Sequence, residues 1–500
     1  MKTSLIGLIT FFLMGTAIAQ TSDTTSVKYL YNTGLKYYYC PQSEQDFSKV
    51  LYYWSKAASA GSIEAAYNLG LIYEEGALVE QNSAEAFKWF KRAAELGDMY
   101  AQYTVGIYLN EGFVGSPDWK EALKWLNLAA KQKYAPAMCK AALIMEEHVP
   151  KDDYSMKTYQ PIVDMYQAAA NLGDAYAQYR LGNIYFEGRG YYSNQLKALG
   201  LYQKAADAGC VEAQYALGVC YYEGYVVGMD LKKAFQYMKM AAESGLPDAQ
   251  AFVGKLYYQS SAEHHYDSSY VYYMAAAQQD FPDALYYLGV HHFYGNGVEK
   301  DYTKTHDYWK KAESLGYVDA SYSLGILSYF GMGVDQDYQK AAQYWTKCIK
   351  EKDCRGYYCL GVMYYLGQNV AQNYDSAYAY FSKSVELCDY LYAHYMMGVC
   401  KENGQGCKTD NAEALRYYRT SADMGHIESM YSYASLQYRH PTSIYNTEMA
   451  YEYLMEAIRH KYQPAIDFHK KYFEEKRSKE EIQIEEKKRN IKKLITPEQL

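Results

Sequence analysis

The sequence predicts an all-α protein: about twelve helix-loop-helix repeats stacked side by side, closed at the C-terminal end by a capping, charged helix. Three observations carry this expectation. A glycine recurs in steps that are mostly 36 residues long, an Asp or Asn stands twelve residues after it, and an aromatic residue precedes a small pair in the segment that follows. A chain of 500 residues exceeds what one compact core usually serves. Self-similarity at a period of roughly 20–50 residues is the mark of a stacked array.

The first helix of each copy carries the glycine: Gly34, Gly70, Gly106, Gly182, Gly218, Gly254, Gly289, Gly325, Gly361 and Gly398, with Ala142 and Ala434 in the same register. Numbering this residue 0, Tyr stands at −3 in ten copies, Cys139 and Ala251 being the exceptions. A small residue stands at −5 in eleven, as Ala65, Ala101, Ala177, Ala213 and Ala249 show. A glycine inside a helix costs about 1 kcal/mol relative to alanine, so one that recurs implies close approach by a neighbour. A glycine-bearing loop follows, such as "YGNGV" (Tyr294–Val298), suited to positive φ where the chain reverses.

The second helix opens on Asp46, Asn82, Asp118, Asn194, Asp230, Asp301, Asp337, Asn373, Asp410 or Asn446, residues that cap helix N-termini by accepting an orphan amide. It closes on segments such as "WFKRAAELG" (Trp89–Gly97), where glycine suits a stop. Two copies depart. The fourth has "EEHVPKDDYSMKTYQP" (Glu146–Pro161) in place of the glycine loop, and the seventh has "QSSAEHHYDSS" (Gln259–Ser269). Tyr154 and Tyr266 replace the cap there, with Asp153 and Asp267 as expected substitutes. From Gln463 the period fails. Phe468, Tyr472 and Phe473 are expected to cover the last copy, as the ends of repeat arrays require. The alternating charges of His469–Leu494 read as a solvated helix. The division is therefore 28–462 for the array and 463–500 for the cap and charged helix.

The stretches "ASYSLGILSYFGMGVDQDYQKAAQYWTKCIK" (Ala320–Lys350) and "AAYNLGLIYEEGALVEQNSAEAFKWFKRAAELG" (Ala65–Gly97) resemble the Sel1-like repeat family, a relative of the tetratricopeptide repeat. The resemblance covers roughly Lys28–Tyr462. It implies a right-handed α-solenoid that mediates protein–protein contacts as a scaffold or adaptor.

Residues 1–19 read as a signal peptide: Lys2 starts it, Leu5–Met14 is apolar, and "AIA" (Ala17–Ala19) fits a cleavage site before Gln20. The apolar run is too short to span a bilayer, and no later run is long enough, so an exported, periplasmic or extracellular chain that does not span the membrane is expected. The net charge of −8 argues against a nucleic-acid partner. Export permits disulfides among the ten cysteines. Cys348, Cys354, Cys359, Cys388, Cys400 and Cys407 crowd one region, and the expected pair is Cys400 with Cys407. Cys139 and Cys220 suit buried thiols.

Reactive constellations are missing from the sequence. No S-x-x-K, G-x-S-x-G, HExxH or phosphate-binding glycine loop occurs, so no catalytic residue, metal or cofactor is expected. Of the doublets His264–His265 and His291–His292, His292 falls in a column where Tyr is common and reads as packing. Six consecutive copies carry an aromatic at +4: Phe186, Tyr222, Tyr258, Phe293, Tyr329 and Tyr365. These suit either extra core within each copy or a Tyr-rich groove for an extended peptide or glycan. Function follows in three versions. The first is an exported scaffold for an unidentified protein partner. The second is a penicillin-binding protein with weak β-lactamase activity, which the resemblance to exported cysteine-rich members implies, although the cysteines here do not recur as one pair per copy. The third is a surface binder of host protein or glycan.

Overall fold

The computed structural model describes residues 26–39, 46–76, 78–260, 265–441 and 444–474. The expected signal peptide and most of the charged tail lie outside the described residues, as does His264. Among those described, the chain forms twenty-five α-helices and one short π-helical turn, with no strand. The helices are numbered in chain order from α1 (Val27–Tyr39) to α25 (Gln463–His469). Each odd-numbered helix from α1 to α23 packs antiparallel on the next, so the architecture is an all-α solenoid of twelve pairs. The chain divides into two compact units at Ser244/Gly245. The first ends with α12 (Leu231–Glu243), and the second begins with α13 (Pro247–Gln259), giving six pairs to each. No helix among the described residues is long and apolar enough to cross a membrane.

The pair α17 (Val318–Phe330) and α18 (Tyr338–Lys350) shows how local chemistry sets the ends. Gly331 closes α17 at φ 70°, in the left-handed region that favours glycine. Asp337 opens α18 by accepting the Lys340 amide. Asp46, Asn82, Asp118, Asn194, Asp230, Asp301, Asn373 and Asp410 cap their helices in the same way. Three cap expectations need correction. Asn446 lies inside α24 (Ile444–Arg459), which starts two residues ahead of it. In the fourth copy Ser155, not Asp153, caps α8 (Met156–Asn171). Asp153 instead accepts the Ser155 amide (2.9 Å) and the Thr158 hydroxyl (2.6 Å), holding the cap from outside. Asp267 sits within the first turn of α14 (His265–Ala277), where its charge complements the helix N-terminus.

The recurrent glycine is explained by the residue twenty positions later. A Cβ built on Gly325 would lie 2.2 Å from Trp345 Nε1, one on Gly289 2.3 Å from Trp309 Nε1, and one on Gly70 2.5 Å from the Phe90 ring. The second helix thus drives a large side chain into a notch that only a missing Cβ leaves open. The tryptophans of three copies anchor themselves there by donating to the −3 carbonyl: Trp54 to Tyr31 (3.2 Å), Trp309 to Tyr286 (2.9 Å) and Trp345 to Tyr322 (3.3 Å). Around the notch lie the fully buried alanines at −5 and the small pair of the second helix, such as Ala93 and Ala94.

The disulfide joins Cys354 and Cys388, with Cα atoms 6.1 Å apart, and not Cys400 and Cys407. Cys354 opens α19 (Cys354–Leu366) and Cys388 ends α20 (Tyr374–Leu387), so the antiparallel pair brings these two ends together. Cys400 points into the core of α21 (Leu391–Asn403), while Cys407 on the following loop donates its thiol to the Cys400 carbonyl at 3.4 Å. Cys139 and Cys220 are buried free thiols. At the end of the second unit, Phe468 and Phe473 pack on Tyr438, with ring centroids 6.0 and 5.1 Å apart.

Two substitutions separate helix propensity from the notch. Gly325→Ala should destabilise by about 1–3 kcal/mol, the usual cost of overpacking. Gly200→Ala in α10 (Gln195–Asp207), where no atom lies within 4 Å of the added Cβ, should stabilise by up to about 1 kcal/mol. Chemical denaturation of both variants measures the contrast. A non-reducing peptide map should show Cys354 linked to Cys388, and Cys354→Ser should cost about 2–5 kcal/mol.

Candidate interaction surface

In the first helix of each copy, positions −6, −3, +1, +4 and +5 share one face, since side chains three and four apart stand above one another. In α17 this face holds Asp319, Tyr322, Ile326 and Tyr329, all half-buried, and exposed Phe330. The opposite face, with Ala320, Leu324, Gly325 and Leu327, is buried.

All six aromatics expected at +4 are half-buried. Phe186 and Tyr222 belong to the first unit, and Tyr258, Phe293, Tyr329 and Tyr365 to the second. Most of them close over the side chain seated in the notch. Phe293 stacks on Trp309 at 5.6 Å, with Tyr286 on the same indole at 5.8 Å. Tyr329 lies 5.6 Å from Trp345, Tyr365 6.4 Å from Phe381, and Phe186 6.4 Å from Tyr202. Their hydroxyls also reach the next copy's loop: Tyr365 donates to Gln405 Oε1 at 2.8 Å, and Tyr329 donates to Gln368. Tyr258 accepts from Asn296 Nδ2 at 3.1 Å.

In two of the three copies where +4 is a carboxylate, it still serves the notch, whereas Glu74 accepts the Tyr108 hydroxyl of the next copy at 2.9 Å. Glu402 accepts the Tyr418 hydroxyl at 2.8 Å. In the fourth copy buried Glu146 accepts the Tyr166 hydroxyl (2.8 Å) and pairs with Arg180 (2.8 Å) and Arg189 (3.1 Å) of the next. Two cations and a phenol offset the desolvation of that charge. Sequence reasoning missed this cluster.

It also missed the position beside the ladder. The +5 column is exposed in every copy. It reads Glu75, Glu111, Glu147, Glu187 and Glu223 in five consecutive copies, then Gln259, then Tyr294, Phe330 and Leu366 in three more. Those three apolar side chains are 64%, 61% and 52% exposed. Each follows an inward +4 ring, and Tyr294 and Phe330 meet theirs edge-on at 4.9 and 4.8 Å. Behind them Tyr302, Tyr338 and Tyr374, at the first position of each second helix, pack on the same +4 rings at 5.2–5.3 Å. Three copies of the second unit thus repeat one aromatic-rich edge. The signal that could have found it is the change from Glu to apolar at fixed register.

The histidine doublet is structural in its contacts. His291 Nδ1 lies 2.7 Å from the Asn296 carbonyl and Nε2 3.0 Å from Ser269 Oγ. Burial holds its pKa below the usual imidazole range, favouring the neutral ring. His292 contacts the Tyr270 hydroxyl and the Glu299 carbonyl. Among the described residues no group of His, Cys, Asp and Glu is placed to hold a metal.

A family model described as Sel1 repeat matches residues 27–62, 63–98, 100–134, 175–210, 211–246, 282–317, 318–351, 355–387 and 391–426. The three helix pairs it passes over are those with Ala142, Ala434 or the altered seventh loop. Among solved structures the chain is similar to c5321, a protective antigen of uropathogenic Escherichia coli strains displaying an SLR fold. The identity is 25% and the TM-score 0.67, over 90% of this chain and 95% of that one. It is also similar to a Sel1 repeat protein from Oxalobacter formigenes, at 25% identity and TM-score 0.45 over 65% and 91% of the two chains. Yeast Tom70 follows at 12% identity and TM-score 0.37, over 83% of this chain and 96% of that one. No curated protein matches the sequence.

Because +5 tolerates Glu in five copies, Phe330→Glu should shift stability by no more than about 0.5 kcal/mol. Phe381→Ala, which empties a notch, should cost about 3–5 kcal/mol. Urea denaturation of the two variants checks both values.

Proposed function

Since the chain belongs to the Sel1 repeat family, whose helix pairs build protein-interaction scaffolds, we propose that it is an exported adaptor holding a polypeptide partner on the edge marked by Tyr294, Phe330 and Leu366. The observation that carries this reading is the exposure of three large apolar side chains in consecutive copies, at a register where five of the six copies of the first unit carry glutamate and the other Tyr39. Solvent-facing apolar clusters of this kind mark interaction sites. Tyr and Phe supply rigid contact area at small entropic cost.

Export is supported by the signal-like residues 1–19 and by the Cys354–Cys388 bond, since disulfides persist in oxidising compartments. A scaffold rather than a thiol enzyme is supported by the buried cysteines. Burial pushes Cys139, Cys348 and Cys400 up to about 12, far from the thiolate that nucleophilic chemistry requires. The similarity to a protective antigen favours a second version of this reading, in which the partner is a host protein or glycan met at the cell surface.

Replacing Tyr294, Phe330 and Leu366 together by Glu should abolish capture of a partner from the native envelope while leaving circular dichroism unchanged. Undiminished capture by that triple variant would refute the assignment of this edge. Purified protein should hydrolyse nitrocefin no faster than buffer; turnover would favour the penicillin-binding alternative.

A further inference from the structure

Two neighbouring copies in the second unit place the same two half-buried residues on one face of their first helix: an aspartate at −6 and a tyrosine at −3. They are Asp283 with Tyr286 in α15 (Pro282–Tyr294) and Asp319 with Tyr322 in α17. In the later copy the chain itself shows what this pair binds. The Arg355 guanidinium lies over the Tyr322 ring, 4.6 Å from its centroid, and pairs with Asp319 and with Asp353 at 2.7 Å. A ring beneath a planar cation and a carboxylate beside it form a complete cation site.

Arg355 arrives from position −6 of the following copy. One copy earlier that position holds Asp319, an anion, so no guanidinium is seated on Asp283 and Tyr286, and Arg355 reaches Tyr286 only through its field. Among the described residues no lysine or arginine forms an ion pair with Asp283. Its Oδ1 accepts the Tyr317 hydroxyl at 2.7 Å, and the Tyr317 ring lies 5.1 Å from Tyr286 as a second wall. Burial raises the Asp283 carboxyl above its usual range, and Asp319 adds to this, while Tyr317 and Lys255 oppose it. The charge is under-compensated where a cation would relieve it.

We propose that Asp283, Tyr286 and Tyr317 form a site for the guanidinium or ammonium of an Arg or Lys side chain on the polypeptide partner. This rests on the scaffold reading above and adds the partner's chemistry. The same helix bears Tyr294, about 16 Å along its axis at 1.5 Å per residue. An extended strand covers that distance in about five residues, so the preferred segment carries a basic residue roughly that far from an apolar one.

The test pans a random linear dodecapeptide display library on the full chain. An enriched peptide with a fixed Arg or Lys is then remade with citrulline or norleucine at that position, which leaves the protein untouched. Binding should weaken by about tenfold or more, and Asp283→Asn should erase the difference while still accepting the Tyr317 hydroxyl. Asp248→Asn, at the same register but with Ala251 at −3, should leave it intact. Affinity for the basic peptide should fall as pH drops through the Asp283 pKa, whereas the citrulline peptide stays flat. Enriched peptides without a basic position, or equal binding by Asp283→Asn, would overturn the cation site and leave the scaffold standing. A library that yields no binder would remove both.

Discussion

Every pair in this chain depends on one steric complementarity: a large side chain of the second helix seated against a residue of the first that has little or no Cβ. The notch converts a local penalty in helix propensity into contact between two helices at short range. It also explains why an aromatic, a leucine or a methionine can occupy the seat. Trp345, Phe90, Leu126 and Met238 all fill it, because the requirement is volume against bare backbone rather than a particular ring. The +4 residue then closes the seat from the solvent side, as a ring in most copies and as a carboxylate under Tyr418 and Tyr166. A column that read as a binding ladder is first of all the lid of each pair.

Stacking between copies uses a second backbone device. Loop glycines with positive φ lie directly on the start of the preceding copy's second helix: Gly333 on the Tyr302 backbone and Gly406 on that of Tyr374. Asn369, a type that tolerates the left-handed region, and β-branched Val226, which does not favour it, occupy the same register with φ of 61° and 66°, so the conformation persists without glycine. The stacking therefore imposes the loop shape, and glycine relieves the strain where it is present. With tyrosine hydroxyls bridging to the same loops, each copy buries what its neighbour leaves open, as nearest-neighbour arrays must.

The fold was legible because its determinants are periodic. Gly325, Asp337 and Trp345 report one helix pair, and their recurrence reports a solenoid. What escaped the reading was set by geometry that periodicity does not encode. Cys354 and Cys388 belong to different columns and meet only because antiparallel helices return to the same end. Asn446 kept its register while α24 gained a turn ahead of it. Glu146 reads as one more charged residue until Arg180 and Arg189 close on it from the next copy. The exposed edge was missed for a different reason: aromatic density at +4 drew attention to residues that packing already employs, while the informative change lay one position further on.

That difference between columns bears on where specificity can reside. Positions −5 and 0, and +4 where it carries a ring over the seated side chain, answer to the notch, so their chemistry carries information chiefly about folding. Positions −6 and +5 lie at the ends of the same helix face, beyond the reach of the seated side chain, and there the copies diverge. Position +5 changes from Glu to Tyr, Phe and Leu, and position −6 changes from Asp to Arg between Asp319 and Arg355. The +5 side chains are exposed in every copy, so substitution there should leave the array standing. Arg355 shows the consequence within the chain itself: one residue at a divergent register fills a site built by the copy before it, while the copy before that keeps the same aspartate and tyrosine half-buried, the aspartate accepting the Tyr317 hydroxyl. A solenoid whose core keeps one packing rule from copy to copy can in this way present a different chemical surface at each step.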